Sequence, residues 1–177
     1  MKLYQDGRVK AIGVSGFTNA RLLDLTAHNE VSPAVNQIEA HPFYQQVESA
    51  DYMKEKGVQM QAWGPLAQGR HNIHENEVLA AIGAKYGKSI AQVSLRWLIQ
   101  RGISAIPKYS KKERMAENFN IFDFELSQED MATIATLETG QGLVEIMGEA
   151  EMLAFMLDLY KDFKHTTKAN IRLAGLH

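Results

Sequence analysis

Four cations fall between Lys108 and Arg114 in the stretch Ile106-Pro107-Lys108-Tyr109-Ser110-Lys111-Lys112-Glu113-Arg114. They follow a short apolar run and open a helical pattern that continues through Met115-Ala116-Glu117-Asn118. A strand end that feeds a helix start points free backbone N–H groups and a partial positive charge outward, an arrangement suited to phosphate. Arg114 adds a guanidinium that can grip a phosphate with two parallel bonds. The competing reading is a solvated basic face on a surface helix, with Glu113 and Glu117 as local ion-pair partners. These residues alone leave both open.

A second group of residues places polar side chains inside strand patterns. Ser15, Asn36, Gln37 and Glu39 stand at or near the ends of apolar runs. A buried polar group without a partner costs roughly 1–3 kcal/mol, so each must meet backbone, water or ligand. Trp63-Gly64-Pro65 ends another run with a flat aromatic face beside a tight turn, which suits stacking on a planar ring or packing at a rim. His41 precedes Pro42 and fits a site or a capped turn. His71 and His74 lie three apart with no third ligand in the pattern, so no metal centre is expected. The chain has no GxSxG elbow, Walker loop or GxGxxG, so neither a nucleophilic triad nor a glycine-rich phosphate loop of those kinds is expected.

The elements that would position these groups alternate in type. Lys10–Ser15, Ala34–Glu39, Val58–Trp63 and Gly102–Pro107 read as buried strands. Thr18 caps a helix through Ala27, and Val47–Lys56 forms a helix stopped by Gly57. Ser89 and Ser110 each fit a capping box with Gln92 and Glu113, and Ser127 caps a third acidic helix start. Val93, Trp97 and Leu98 form an apolar stripe at helical spacing, read as core. Residues 64–76 are irregular and follow a strand's C-terminal end, where α/β barrels keep their chemistry. Strands separated by helices predict βαβ units, a parallel sheet and right-handed crossovers. Four strands are half of an eight-stranded barrel, which needs about 250 residues. Lys2–Asp6 reads as the last turn of a helix stopped by Gly7, so the chain is expected to begin inside a βα unit.

Composition narrows the partners. The 177 residues are 45% hydrophobic and 23% charged, ordinary for a globular chain. A net charge of -2 gives no global attraction to nucleic acid or to anionic membrane. There is no cysteine, which excludes disulfides and thiolate metal sites and makes a cytoplasmic setting the default. No apolar run approaches the roughly 18 residues of a membrane span.

Taken in order, GRVKAIGVSGF (7–17), AVNQIEAHPF (34–43), AWGPLAQG (62–69), SIAQVSLRWLIQRG (89–102), AIPKYSKKERMAENFNIFDFELSQEDM (105–131) and LETGQ (137–141) resemble the aldo-keto reductase family. The resemblance implies a partial (β/α)8 TIM barrel, strands five to eight with their helices, over residues 1–141. Residues 142–177 do not match the family and read as a divergent tail with a helix over about Glu149–Phe163.

The resemblance also implies NADP(H) as cofactor and a small carbonyl substrate. It gives Ser15 and Gln37 the nicotinamide carboxamide, with Gly16 standing where the family has an Asn. Trp63 takes the place of a stacking Tyr. Gly64 takes the place of a Ser at the pyrophosphate and offers backbone only, while Leu66 matches. Lys108 and Arg114 match the grip on the adenosine 2′-phosphate, and Glu117 and Asn118 the adenine side. Tyr109 stands where Ser or Thr is usual, leaving Ser110 as a compensating hydroxyl. The family's catalytic Tyr, Lys, Asp and His belong to its first barrel half, and Tyr4, Tyr44, Lys54 and His41 do not match them. The expectation is therefore an NADP(H)-binding half-barrel with little or no reductase activity alone. Two alternatives stand beside it. One is a non-catalytic or oligomerising module whose open strand edges pair with a second copy or with a separate N-terminal half. The other is an unrelated phosphate-binding α/β domain.

Overall fold

The computed structural model describes residues 2–143 together with Ala154 and Leu157. The chain divides into two compact units, residues 1–143 and 144–177. Of the second unit only Ala154 and Leu157 are described, both helical and exposed. The rest of the helix expected over Glu149–Phe163 lies outside the described residues.

The first unit is a four-stranded, all-parallel sheet in sequential order: β1 (Gly13–Ser15), β2 (Val35–Glu39), β3 (Gln59–Trp63) and β4 (Ser104–Ala105). Helices α1 (Lys2–Gln5), α2 (Asn19–Ala27), α3 (Val47–Glu55), α4 (Glu77–Tyr86), α5 (Ile90–Gln100), α6 (Lys112–Phe119) and α7 (Gln128–Ala135) surround and link them. Parallel neighbours require crossovers, and the amphipathic helices supply them.

Helix limits follow the sequence signals closely. Thr18 accepts from the Arg21 N–H, Asn76 from Leu79 and Ser127 from Asp130. Ser89 forms a complete capping box with Gln92. Gly57 and Gly87 follow helix ends at φ of 67° and 64°, where a side chain would be strained.

Three expectations need correction. The box at Ser110 does not form: Lys111 is the N-cap of α6 and caps with no side-chain bond. The start is displaced by one residue and the Ser110 side chain stays in solvent. The first strand is neither six residues long nor buried, because β1 is a sheet edge with one neighbour. The fourth strand shrinks to two residues, and α4 adds a helix beyond those expected from the sequence.

Burial follows strand parity except at Glu39, which is buried on the opposite side. Asn36, Ile38, Met60 and Ala62 are buried on one side, where Leu22, Met53, Leu79, Val93, Trp97, Leu98 and Ile134 from the helices complete the core. The expected stripe on α5 is thus core, with Trp97 only 1% exposed. Asn36 is satisfied there, its amide donating to the Phe17 carbonyl at 2.8 Å and accepting the Phe17 N–H at 3.4 Å.

Candidate functional site

Strand register brings polar side chains together on the other side of the sheet. Ser15 pairs with Gln37, Gln37 with Gln61, and Gln61 with Ser104, so one residue from every strand forms a row. The Ser15 hydroxyl donates to the Gln37 carbonyl at 3.1 Å, and the Gln37 amide donates to Gln61 Oε1 at 2.7 Å. Glu39 and Trp63 pair one step further toward the C-terminal ends. Gln61 and Ser104 were not among the expected site residues, although the alternation in Gln59-Met60-Gln61 carries the signal.

The turn after β1 explains one departure. Gly16 lies at φ 71°, in the left-handed region that glycine, and among side-chain residues chiefly Asn and Asp, enter readily. Its N–H donates to the Gln37 carbonyl at 2.9 Å, which ties this turn to the polar row.

Beyond the ends of β3 and β4 the surface folds inward. A cavity of about 510 Å³ is lined by Gly64, Leu66, Gln68, Gly69, His74, Lys108 and Tyr109, with Pro65, Ile106 and Pro107. A second of about 450 Å³ is lined by His74, Ser89, Tyr109, Arg114, Glu117 and Asn118, with Ile90 and Ala91. His74 and Tyr109 belong to both, so the two adjoin as one groove. Seven of the expected residues line it: Gly64, Leu66, Lys108, Tyr109, Arg114, Glu117 and Asn118. Ser110 lines neither part. Ser15, Gln37 and Trp63 lie on the sheet outside both. His74, Gln68 and Ser89 were missed, His74 because its spacing had been weighed only as a metal ligand.

Local structure accounts for the groove's walls. Tyr109 packs against the buried cluster of Leu66, Ala91, Leu95 and Ile121, which fixes its ring at the junction. The end of α6 is pinned from α5, because the Gln92 amide donates to the Glu117 and Asn120 carbonyls at 3.1 and 2.9 Å. Lys88 holds the following turn through Asp123 at 2.7 Å. Arg114 reaches Glu117 at 2.7 Å, an exposed i,i+3 pair of small net worth. The Glu117 carboxyl is held below its ordinary range, first by the Ser89 hydroxyl and then by Arg114, against the opposing effect of burial.

The loop from Gly64 to Asn72 forms the remaining wall and is strained. Gly64, Ala67, Gln68, Gly69, His71 and Asn72 all have φ between 48° and 76°. For residues with a side chain this region costs roughly 1–2 kcal/mol each. Contacts outside the loop must over-determine that shape.

The groove carries two cations in its lining. Lys108 has no carboxylate within 4.0 Å among the described residues, and Arg114 is mostly exposed beside it in sequence. Asn118 is buried, and its Oδ1 finds no hydrogen-bond partner among the described residues.

Glyoxal reductase of Bacillus subtilis is 52% identical over 136 residues, 77% of this chain and 49% of that protein. The aldo-keto reductase MGS-M4, from a Medee basin deep-sea metagenome library, superposes with a TM-score of 0.77 at 40% identity, over 84% of this chain and 54% of its own. An aldo-keto reductase (AKR2E5) complexed with NADPH gives a TM-score of 0.77 at 38% identity, over 81% and 47%. The chain spans about half the length of the curated relatives it matches. No described helix is long and apolar enough to cross a membrane. The model of the aldo/keto reductase family matches residues 1–139, and the chain belongs to that family.

Proposed function

We propose that residues 1–141 are strands five to eight of a (β/α)8 barrel that hold NADP(H) for the reduction of an aldehyde or ketone, with residues 142–177 as a divergent tail. The single observation that carries this reading is the joined groove, whose lining brings the cations Lys108 and Arg114 together with Glu117 and Asn118. Lys108 and Arg114 take the 2′-phosphate, and Arg114 exchanges its Glu117 partner for two bonds to phosphate oxygens. Glu117 and Asn118 take the adenine, while Leu66 and the backbone of Gly64 line the pyrophosphate. Tyr109 sits between the two parts, and Ser110 stands beside it in solvent as a hydroxyl at the rim. Ser15 and Gln37 hold the carboxamide, and Trp63 stacks on the nicotinamide. NADPH supplies the hydride when bound. The chain's own residues bind and orient it.

The reaction also needs a proton donor, and none of Tyr4, Tyr44, Lys54 or His41 is offered as one. His41 is fully buried and holds a turn, which removes it from a substrate's reach. The chain alone is therefore expected to bind NADP(H) without appreciable turnover. Calorimetric titration with NADP+ and NAD+ tests binding, and an NADPH-oxidation assay with a simple aldehyde tests activity. Absence of NADP+ binding would refute the cofactor reading, and ordinary enzyme rates would refute the missing acid.

A second reading has its own observation. Among the described residues β1 and β4 each pair on one side only. Such edges invite pairing with a second copy or a complementary half. Light scattering that shows a clean monomer would count against that module.

A further inference from the structure

The groove's strained wall is fastened from a distant part of the chain. After α7, the Thr139 N–H and Oγ1 both donate to the Phe43 carbonyl, at 3.0 and 2.8 Å. Glu138 accepts the Gln45 N–H at 2.6 Å, and the Gln45 amide donates back to the Ile134 carbonyl at 3.0 Å. The strap so fixed runs to Leu143. There both backbone groups are captured: the N–H donates to Glu39 Oε1 at 2.5 Å, and the carbonyl accepts from Arg70 Nη1 at 3.1 Å. The Leu143 side chain is buried, with its Cδ1 3.2 Å from where a Cβ would stand on Gly64.

Glu39 is set for this role. It is 7% exposed, so its carboxylate must be paired. The Phe43 N–H donates to His41 Nδ1, which places the ring proton on Nε2 and aims it at Glu39 Oε1 at 3.0 Å. The same oxygen takes the Leu143 N–H from 104 residues away.

We propose that Glu39 and Arg70 are positioning residues of the groove: together they seat Leu143 against Gly64 and hold the loop from Gly64 to Asn72 in its groove-forming shape. The role assigned to the groove rests on its reading as the NADP(H) site, whereas the fastening itself does not. Arg70 belongs to the loop and Glu39 to the end of β2, so Leu143 is the piece through which the sheet fixes the loop. A loop with four non-glycine residues at positive φ has reason to need it.

Hydrogen exchange and NADP+ titration of the full chain test this with R70A, E39M and their combination. Arg70 is exposed, so R70A does not threaten the core. At position 39 methionine keeps the length of the side chain but offers no oxygen to the Leu143 N–H or to His41. Each single variant is expected to speed exchange in residues 64–72 and 139–143 together and to weaken NADP+ about fivefold. The double variant is expected to be no worse than the weaker single, because both act through Leu143. Gln141→Ala, an exposed strap residue, is expected to change nothing. Release of 139–143 with unchanged exchange in 64–72 would overturn the proposal, as would additive losses in the double variant. If the unaltered chain does not bind NADP+, the cofactor reading fails, while exchange in the free protein still decides the fastening.

Discussion

Met60 and Gln61 are adjacent in β3 and occupy opposite environments. Met60 points into the helix layer and is 3% exposed, while Gln61 joins the polar row that runs from Ser15 to Ser104. All-parallel sheets are ordinarily covered on both faces and read as continuous apolar runs. This one alternates instead, and the difference separates two tasks. The helix-covered side supplies the stability, and the polar side keeps hydrogen-bonding groups that a ligand or a further part of a barrel can use. The Gln37–Gln61 bond satisfies one donor and one acceptor of those amides.

The widest gap between the two sides is expected in stability. Met60→Ala should cost about 2–5 kcal/mol in denaturant unfolding, because the surrounding core collapses only partly onto the space left. A cost near zero would mean that the helix layer is not the core. The next effect belongs to the groove. Arg114→Ala should weaken NADP+ by about 10- to 100-fold and leave NAD+ nearly unchanged, the size of a lost charge-assisted phosphate contact. Equal losses for both would remove the 2′-phosphate from Arg114.

A smaller effect concerns how the covered side is tied. Asp130 is buried and joins α7 to α4 through Lys85 and Tyr86, each at 2.6 Å. Burial pushes its carboxyl up, but the bonds from Lys85, Tyr86 and Ser127 outweigh it and leave the group below its ordinary value. A depressed carboxyl adds stability that is complete above its unfolded value, about 3.9, and fades as pH falls through the folded value. Asp130→Asn should therefore cost about 1–2 kcal/mol at neutral pH, and the gap from the unaltered chain should close below about pH 4. A gap that persists into acid would assign the loss to packing. Smallest of all, Gln61→Ala should cost under about 1 kcal/mol, since the Gln37 amide it frees can turn to water. A loss comparable to that of Met60→Ala would erase the distinction between the faces.

Much of this was legible in the chain. Thr18, Ser89 and Ser127 announced their helices because an N-cap bond is local, made within three residues. Arg114 and Lys108 stand out as candidates for a phosphate grip because charge and helix start are also local, and both line the groove. Ser110 misled because a capping box is a pattern of types, and the backbone placed the cap at Lys111 instead. The positions of His74 in the groove lining and of Gln61 in the polar row have no local signal, because they depend on a loop folding back toward Tyr109 and on a strand register. The bond from Glu39 to Leu143 spans 104 residues and has no signature in either neighbourhood. Tyr109 changed most in meaning. It departs from the family pattern, yet its ring stands where the two cavities meet.

One consequence concerns time rather than affinity. β4 holds only Ser104 and Ala105 in register with β3, and its far side is unpaired among the described residues. Lys108 and Tyr109 hang from the end of this shortest seam. Its amides should be the first of the sheet to exchange with solvent, because few bonds must break to open it. On the cofactor reading proposed above, fraying of these two residues opens a route of release, and a stopped-flow release rate should rise with the opening rate of Ala105 and Ile106 in addition to any change at Arg114.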